Sequence, residues 1–127
     1  MALEEQREST IRITKSKVTN DTRGRLGKRI LKAGLPLKVY TVPETAGYGC
    51  LSVNIANFGN TDAVIVLWIS DAEQPSNIDI IEPAIVLKPG AVYLRYGVMI
   101  SFGEKVFAAA DTDSVVIRVD GTEDRIV

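Results

Sequence analysis

The chain has 127 residues, of which 46% are hydrophobic, 24% charged and 6% aromatic, with a formal net charge of -1 and no histidine. That length suits one domain with a sound core but is short for a core plus an enclosed active site. Without histidine the Ser-His-Asp and Cys-His constellations are excluded; the longest apolar run, Ala63 to Ile69, falls far below the roughly 18 to 20 residues of a membrane-spanning helix, so that class is excluded too.

The first ten residues carry Glu4, Glu5 and Glu8 and lack a basic segment followed by an apolar one. No secretory signal is therefore expected, and the chain is expected to be made and kept in a cytoplasm. The sequon Asn20-Asp21-Thr22 is accordingly read as chance. Residues 11 to 38 hold nine basic side chains against one acid, Asp21, whereas residues 39 to 127 hold five basic and twelve acidic ones. A basic arm thus precedes an acidic body.

Within the arm only Ser9 to Lys15 has the alternation of a strand, through Ile11 and Ile13. Gly24, Gly27 and Gly34 suit an extended or partly ordered loop, with a weak signal for a helical turn over Leu26 to Lys32. The expected division is an extended arm over 1–35 and a β-sandwich domain over 36–127. Arg23-Gly24-Arg25-Leu26-Gly27-Lys28 looks superficially like a phosphate loop, but it lacks a preceding strand and a Ser or Thr after the lysine. The cations could form a solvated face, dock on an acidic neighbour, or neutralise phosphates. Docking is the favoured reading, through Arg23, Arg25, Lys28, Arg29 and Lys32, on a copy of this chain or another protein. Nucleic acid is disfavoured because the arm has no interleaved aromatics and the acidic body repels phosphates.

From Pro36 onward strand signals recur about every ten residues, bounded by Gly, Pro, Asn or Asp. They cover Leu37 to Val42, Cys50 to Asn57, Ala63 to Ser70, Ile78 to Ile81, Ala84 to Leu87, Val92 to Tyr96, Val98 to Ser101, Lys105 to Ala110 and Ser114 to Asp120. The expected fold is all-β, an antiparallel, jelly-roll-like sandwich of about eight strands with the basic extension in front. Leu51 to Ser70 reads as a hairpin around Gly59, Asn60, Thr61 and Asp62. In its first arm Leu51, Val53 and Ile55 alternate with Ser52, Asn54 and Ala56. In its second, Ala63, Ile65, Leu67 and Ile69 share one face while Val64, Val66 and Trp68 share the other, so both faces are apolar and the second needs a cover. Val64, Val66 and Trp68 are the expected subunit contacts. Lys88-Pro89-Gly90 has the chemistry of a type II turn, and Ser101 to Glu104 that of another Gly-centred reversal.

Little in the chain suggests catalysis. Cys50, the single cysteine, cannot form an internal disulfide and is read as a small buried apolar residue. Asp71, Glu73, Asp79 and Glu82 cluster around one polar connection and could supply a carboxylate pair, though a solvated loop is the simpler reading. Asp111, Asp113, Asp120, Glu123 and Asp124 could offer oxygens to Ca²⁺, but the EF-hand spacing is missing. No metal, cofactor or catalytic residue is expected. Trp68, Phe58, Tyr93 and Tyr96 are read as core or contact aromatics. Ile126 and Val127 end an acidic tail that either tucks against a neighbour or frays.

The run from Val53 to Ala63, continuing through Leu67 to Ser70, Pro75, Asp79, Ile81 and Glu82, resembles small β-sandwich virion proteins of tailed bacteriophages, including cyanophages. The resemblance extends through Leu87 to Ala91, Gly97 to Ser101, Gly103 to Val106 and Ser114 to Val119, and so covers about residues 50 to 120. It implies a structural component, a capsid decoration (cement) protein or a tail or fibre part, assembling as trimers or larger rings. On that basis the expected function is a non-enzymatic decoration protein that trimerises and docks its arm on the major capsid protein, in a virion assembled in the host cytoplasm. A tail, neck or fibre-attachment protein is the alternative of the same class. A carbohydrate-binding sandwich that stacks sugars on Trp68, Tyr93 or Tyr96 is the alternative of another class, and an enzyme using Asp79 and Glu82 is a third.

Overall fold

A computed structural model describes residues 23–43 and 46–125, with side chains over 26–43 and 46–123. Eight strands follow in order: β1 (Arg23–Leu31), β2 (Leu37–Thr41), β3 (Ala46–Asn57), β4 (Ala63–Ser70), β5 (Ile80–Leu87), β6 (Val92–Ser101), β7 (Lys105–Ala110) and β8 (Val115–Arg125). A 3-10 turn, Asn77–Asp79, precedes β5. No helix among the described residues is long and apolar enough to cross a membrane.

The strands make two four-stranded antiparallel sheets, ordered β1-β8-β3-β6 and β2-β7-β4-β5. Four nested pairs, β1 with β8, β2 with β7, β3 with β6 and β4 with β5, amount to one long hairpin whose successive pairs land in alternate sheets. This is the jelly roll expected from the strand spacing. The period-2 pattern decides which side chains go inside: Leu51, Val53 and Ile55 of β3, Ile65 and Leu67 of β4, Val106 of β7, and Ile117 and Val119 of β8 are all at most 1% exposed. Each such aliphatic side chain contributes about 1.5–3 kcal/mol of burial.

Several expectations need correction. Leu51 to Ser70 is not a hairpin, because β3 and β4 lie in opposite sheets and do not pair. The turn between them is an arch from one sheet to the other. The sandwich does not begin at Pro36: β1 pairs with β8 from Arg23↔Thr122 to Leu31↔Val115, so residues 23–31 of the expected arm are an edge strand. The signal was hidden because glycines and cations interrupt its alternation, as is common at edges, where charge discourages unwanted pairing. Where a helical turn was expected over Leu26 to Lys32, the chain is strand as far as Leu31. The expected strand Ser9 to Lys15, the sequon, and Ile126 and Val127 fall outside the described residues. Ile78 to Ile81 and Ala84 to Leu87 merge into β5 from Ile80, since Pro83 sits on an edge strand that tolerates the lost N–H. Val92 to Tyr96 and Val98 to Ser101 merge into β6, with a register shift opposite Leu51 and Val53.

Local devices close the roll. Gly27 lies where an added Cβ would stand 2.5 Å from the Val39 carbonyl oxygen, so β1 approaches β2 only without a side chain there. The phosphate-loop look of residues 23–28 therefore belongs to a tight strand crossing. Asn57, 1% exposed, donates from Nδ2 to the carbonyls of Thr61 at 2.8 Å and Leu87 at 2.9 Å, and accepts from the Gly59 N–H at 2.9 Å. It ties the β3–β4 arch to the end of β5. The Lys88-Pro89-Gly90 turn forms as expected, with Gly90 at φ +80° and the Ala91 N–H donating to the Lys88 carbonyl at 2.9 Å.

Candidate interaction surface

Several of the residues that could carry chemistry are held in structural bonds. Asp79 accepts from the Ser76 N–H at 3.0 Å and from its hydroxyl at 3.3 Å. The Ser76 backbone and then the Ser70 hydroxyl hold its carboxyl below the usual range. Glu82 accepts from the Tyr93 hydroxyl at 2.8 Å and from Nη1 of Arg95. Its carboxylate thus joins edge strand β5 to edge strand β6 across the open side of the sandwich. Burial is the first cause that pushes the Tyr93 hydroxyl up. Asp71 and Glu73 are exposed on the connection before β5. Asp79 and Glu82 are thus held by different partners.

Asp111 and Asp113 serve the backbone: Asp111 accepts from the Val64 N–H and Asp113 from the Ala33 N–H, each at 2.8 Å. Asp120 accepts from Nε of Arg118 at 3.0 Å, and Glu123 accepts from the Tyr40 hydroxyl in the interior. Among the described residues no group of three or more acids or thiols is arranged to hold a metal ion. Cys50 is exposed, contrary to the expectation of burial. It occupies the outward phase of β3, between buried Gly49 and Leu51, so strand period outweighs the usual preference of the residue type.

Of the cations expected to dock, Arg23, Arg25, Lys28 and Arg29 lie in edge strand β1 and Lys32 directly follows it. Arg23 and Arg25 contribute their backbone to β1. Lys28, Arg29 and Lys32 are exposed, and Arg29 donates from Nη1 to the Lys38 carbonyl at 3.0 Å, which binds β1 to β2. Residues 23–41, which span the β1/β2 edge, contain six cations and no acid. At the far edge, the connection 71–79 leading into β5 contains Asp71, Glu73 and Asp79 and no cation.

Val64, Val66 and Trp68 are half-buried on the outer side of their sheet, opposite Val86, Ala109 and Phe107 respectively. The structure thus brings them onto one face, as the alternation implied. Sequence reasoning missed a barer apolar surface on the other sheet. Ile30 of β1 pairs with Val116 of β8, Val116 with Ala56 of β3, and Ala56 with Val92 of β6, an apolar row across all four strands. Its two ends are open: Ile30 and Val92 are each 53% exposed, with Leu94 beside Val92 at 47%. Val92 and Leu94 alternate with Tyr93 and Arg95, and that alternation was the available signal. Tyr93 faces inward to Glu82, Tyr96 lies exposed on β6, and Trp68 belongs to the other sheet. The three rings therefore do not share one face, and Tyr96 is the one that stands fully open.

Comparisons with protein-family models, with curated proteins and with solved structures find no match to this chain.

Proposed function

We propose that this jelly roll is a non-enzymatic structural protein of a tailed-bacteriophage virion, a capsid decoration protein that docks on the major capsid protein and stabilises the shell. The observation that carries this reading is the apolar row from Ile30 to Val92, left open at both ends on a small sandwich. Exposed apolar surface of this kind marks a site of protein association. Two further features agree with it. Asp79, Glu82, Asp111, Asp113 and Glu123 are occupied in holding the fold together, and the cations of residues 23–41 gather on one edge, where they suit an acidic protein surface.

The resemblance of residues 50 to 120 to phage sandwich proteins supplies the choice of partner. The test is direct: shells assembled without this protein are mixed with the purified chain and sedimented. The chain is expected to pellet with the shells, raise their melting temperature and release them as salt is added. Shells that neither retain the chain nor gain thermal stability would end this reading.

A further inference from the structure

The two edges of the sandwich differ in a way that suits each other. At one, β1 pairs only with β8 among the described residues and carries Lys28 and Ile30 exposed. At the other, β6 pairs only with β3 among the described residues and carries Val92, Leu94 and Tyr96 exposed. An edge strand is normally blunted by outward charge. Arg95, the one charged residue of β6, is spent on Glu82, so the ten-residue edge from Val92 to Ser101 keeps an apolar outer side.

We infer that β6 of one copy of this chain docks beside β1 of the next, a head-to-tail contact that joins copies into a closed ring. The inference rests on the reading of the chain as an assembling protein and names the surface it uses. Three features select this occupant. The apolar row ends at Val92 on one edge and at Ile30 on the other, so placing the two edges side by side continues it from copy to copy. The sheet has four strands of alternating direction, so a repeated copy presents β1 antiparallel to β6, and main-chain bonds can form between them. Finally, the cation-only edge over 23–41 meets the end that carries Asp71, Glu73 and Asp79. Because the two surfaces are different, the contact is heterologous: it makes a ring where the rotation between copies closes and an open fibre where it does not, so a discrete species of fixed size is the expected sign of the ring and an unlimited size series would overturn it.

The test uses the full chain in sedimentation velocity with two blocking variants, Ile30→Lys on β1 and Val92→Lys on β6. The wild type is expected as an oligomer of about three or more copies, dissociating as salt is raised. Each variant alone is expected as a monomer, and their equimolar mixture as a one-to-one dimer, since one variant keeps a usable β6 and the other a usable β1. Lys28→Glu and Leu94→Lys replace them if circular dichroism shows either one unfolded. A monomeric wild type overturns the inference, as does an Ile30→Lys protein that still dimerises, because that outcome means β6 pairs with itself. Shell binding is read separately. A monomer that still pellets with shells sinks the ring alone, and an oligomer that does not pellet sinks the capsid reading alone.

Discussion

Tyr40 of β2 donates its hydroxyl to the Glu123 carboxyl of β8, so one hydrogen bond joins the two sheets through the interior. Both side chains are buried. Tyr40→Phe keeps the ring and removes the donor, leaving a buried carboxyl short of a partner. The expected cost is about 1–3 kcal/mol, read as a lower urea midpoint with an unchanged slope.

The same bond makes stability depend on alkaline pH. Burial first, and then the hydrogen bond and charge of Glu123, push the Tyr40 hydroxyl up from its ordinary value of 10.0. A group whose folded value is raised contributes stability that is fully present below its unfolded value and is lost as pH climbs toward the folded one. Unfolding free energy should therefore decline above about pH 10, and Tyr40→Phe should decline less steeply there. Tyr93 is shifted in the same direction, so Tyr93→Phe should remove a further part of the slope. Equal slopes in all three proteins would refute this account.

Asn57 satisfies two carbonyls and one N–H from a site 1% exposed. Asn57→Ala strands all three at the junction of the arch and β5. The expected loss is about 2–4 kcal/mol, larger than that of Asn54→Ala on the outward phase of the same strand. Thermal melts of the two variants side by side decide it; equal losses would mean that the Asn57 bonds matter little.

How much of this was legible follows from what sequence patterns encode. The bounds of β4 and β7 are readable residue for residue, because an unbroken apolar run or clean alternation lies between turn-forming residues, and Lys88-Pro89-Gly90 declares its turn by the φ demands of Pro and Gly. Alternation reports which face a side chain takes but not which strand lies beside it. Hence Val64, Val66 and Trp68 were grouped together correctly while β3 and β4 were wrongly paired with each other. Glycine and proline read as ends, yet Gly27 and Pro83 lie inside strands, one for a close approach and one on an edge. The row from Ile30 to Val92 exists only through long-range register, which no local window contains.

Gly27→Ala tests whether residues 23–31 belong to the sandwich. The added methyl would stand 2.5 Å from the Val39 carbonyl oxygen, a backbone atom that cannot swing away. The expected result is a loss of about 1–3 kcal/mol, with amide exchange rising in β1 and β2 well before β3 and β4. An alanine at this position in a detached arm would change neither.

Cys50 offers the simplest check on strand phase. It faces outward opposite Met99 of β6 and Thr122 of β8 and is exposed, so a disulfide reagent should reach its sulfur in the native protein. The expected rate lies within about tenfold of that in urea, because no opening of the sheet is needed. An inward cysteine would instead wait for unfolding, and with a stability of about 5 kcal/mol or more its labelling would slow by roughly four orders of magnitude or more. Thiol titration with and without denaturant separates the two. The slow result would mean that β3 is shifted by one residue, which would turn Leu51, Val53 and Ile55 outward and dismantle the core.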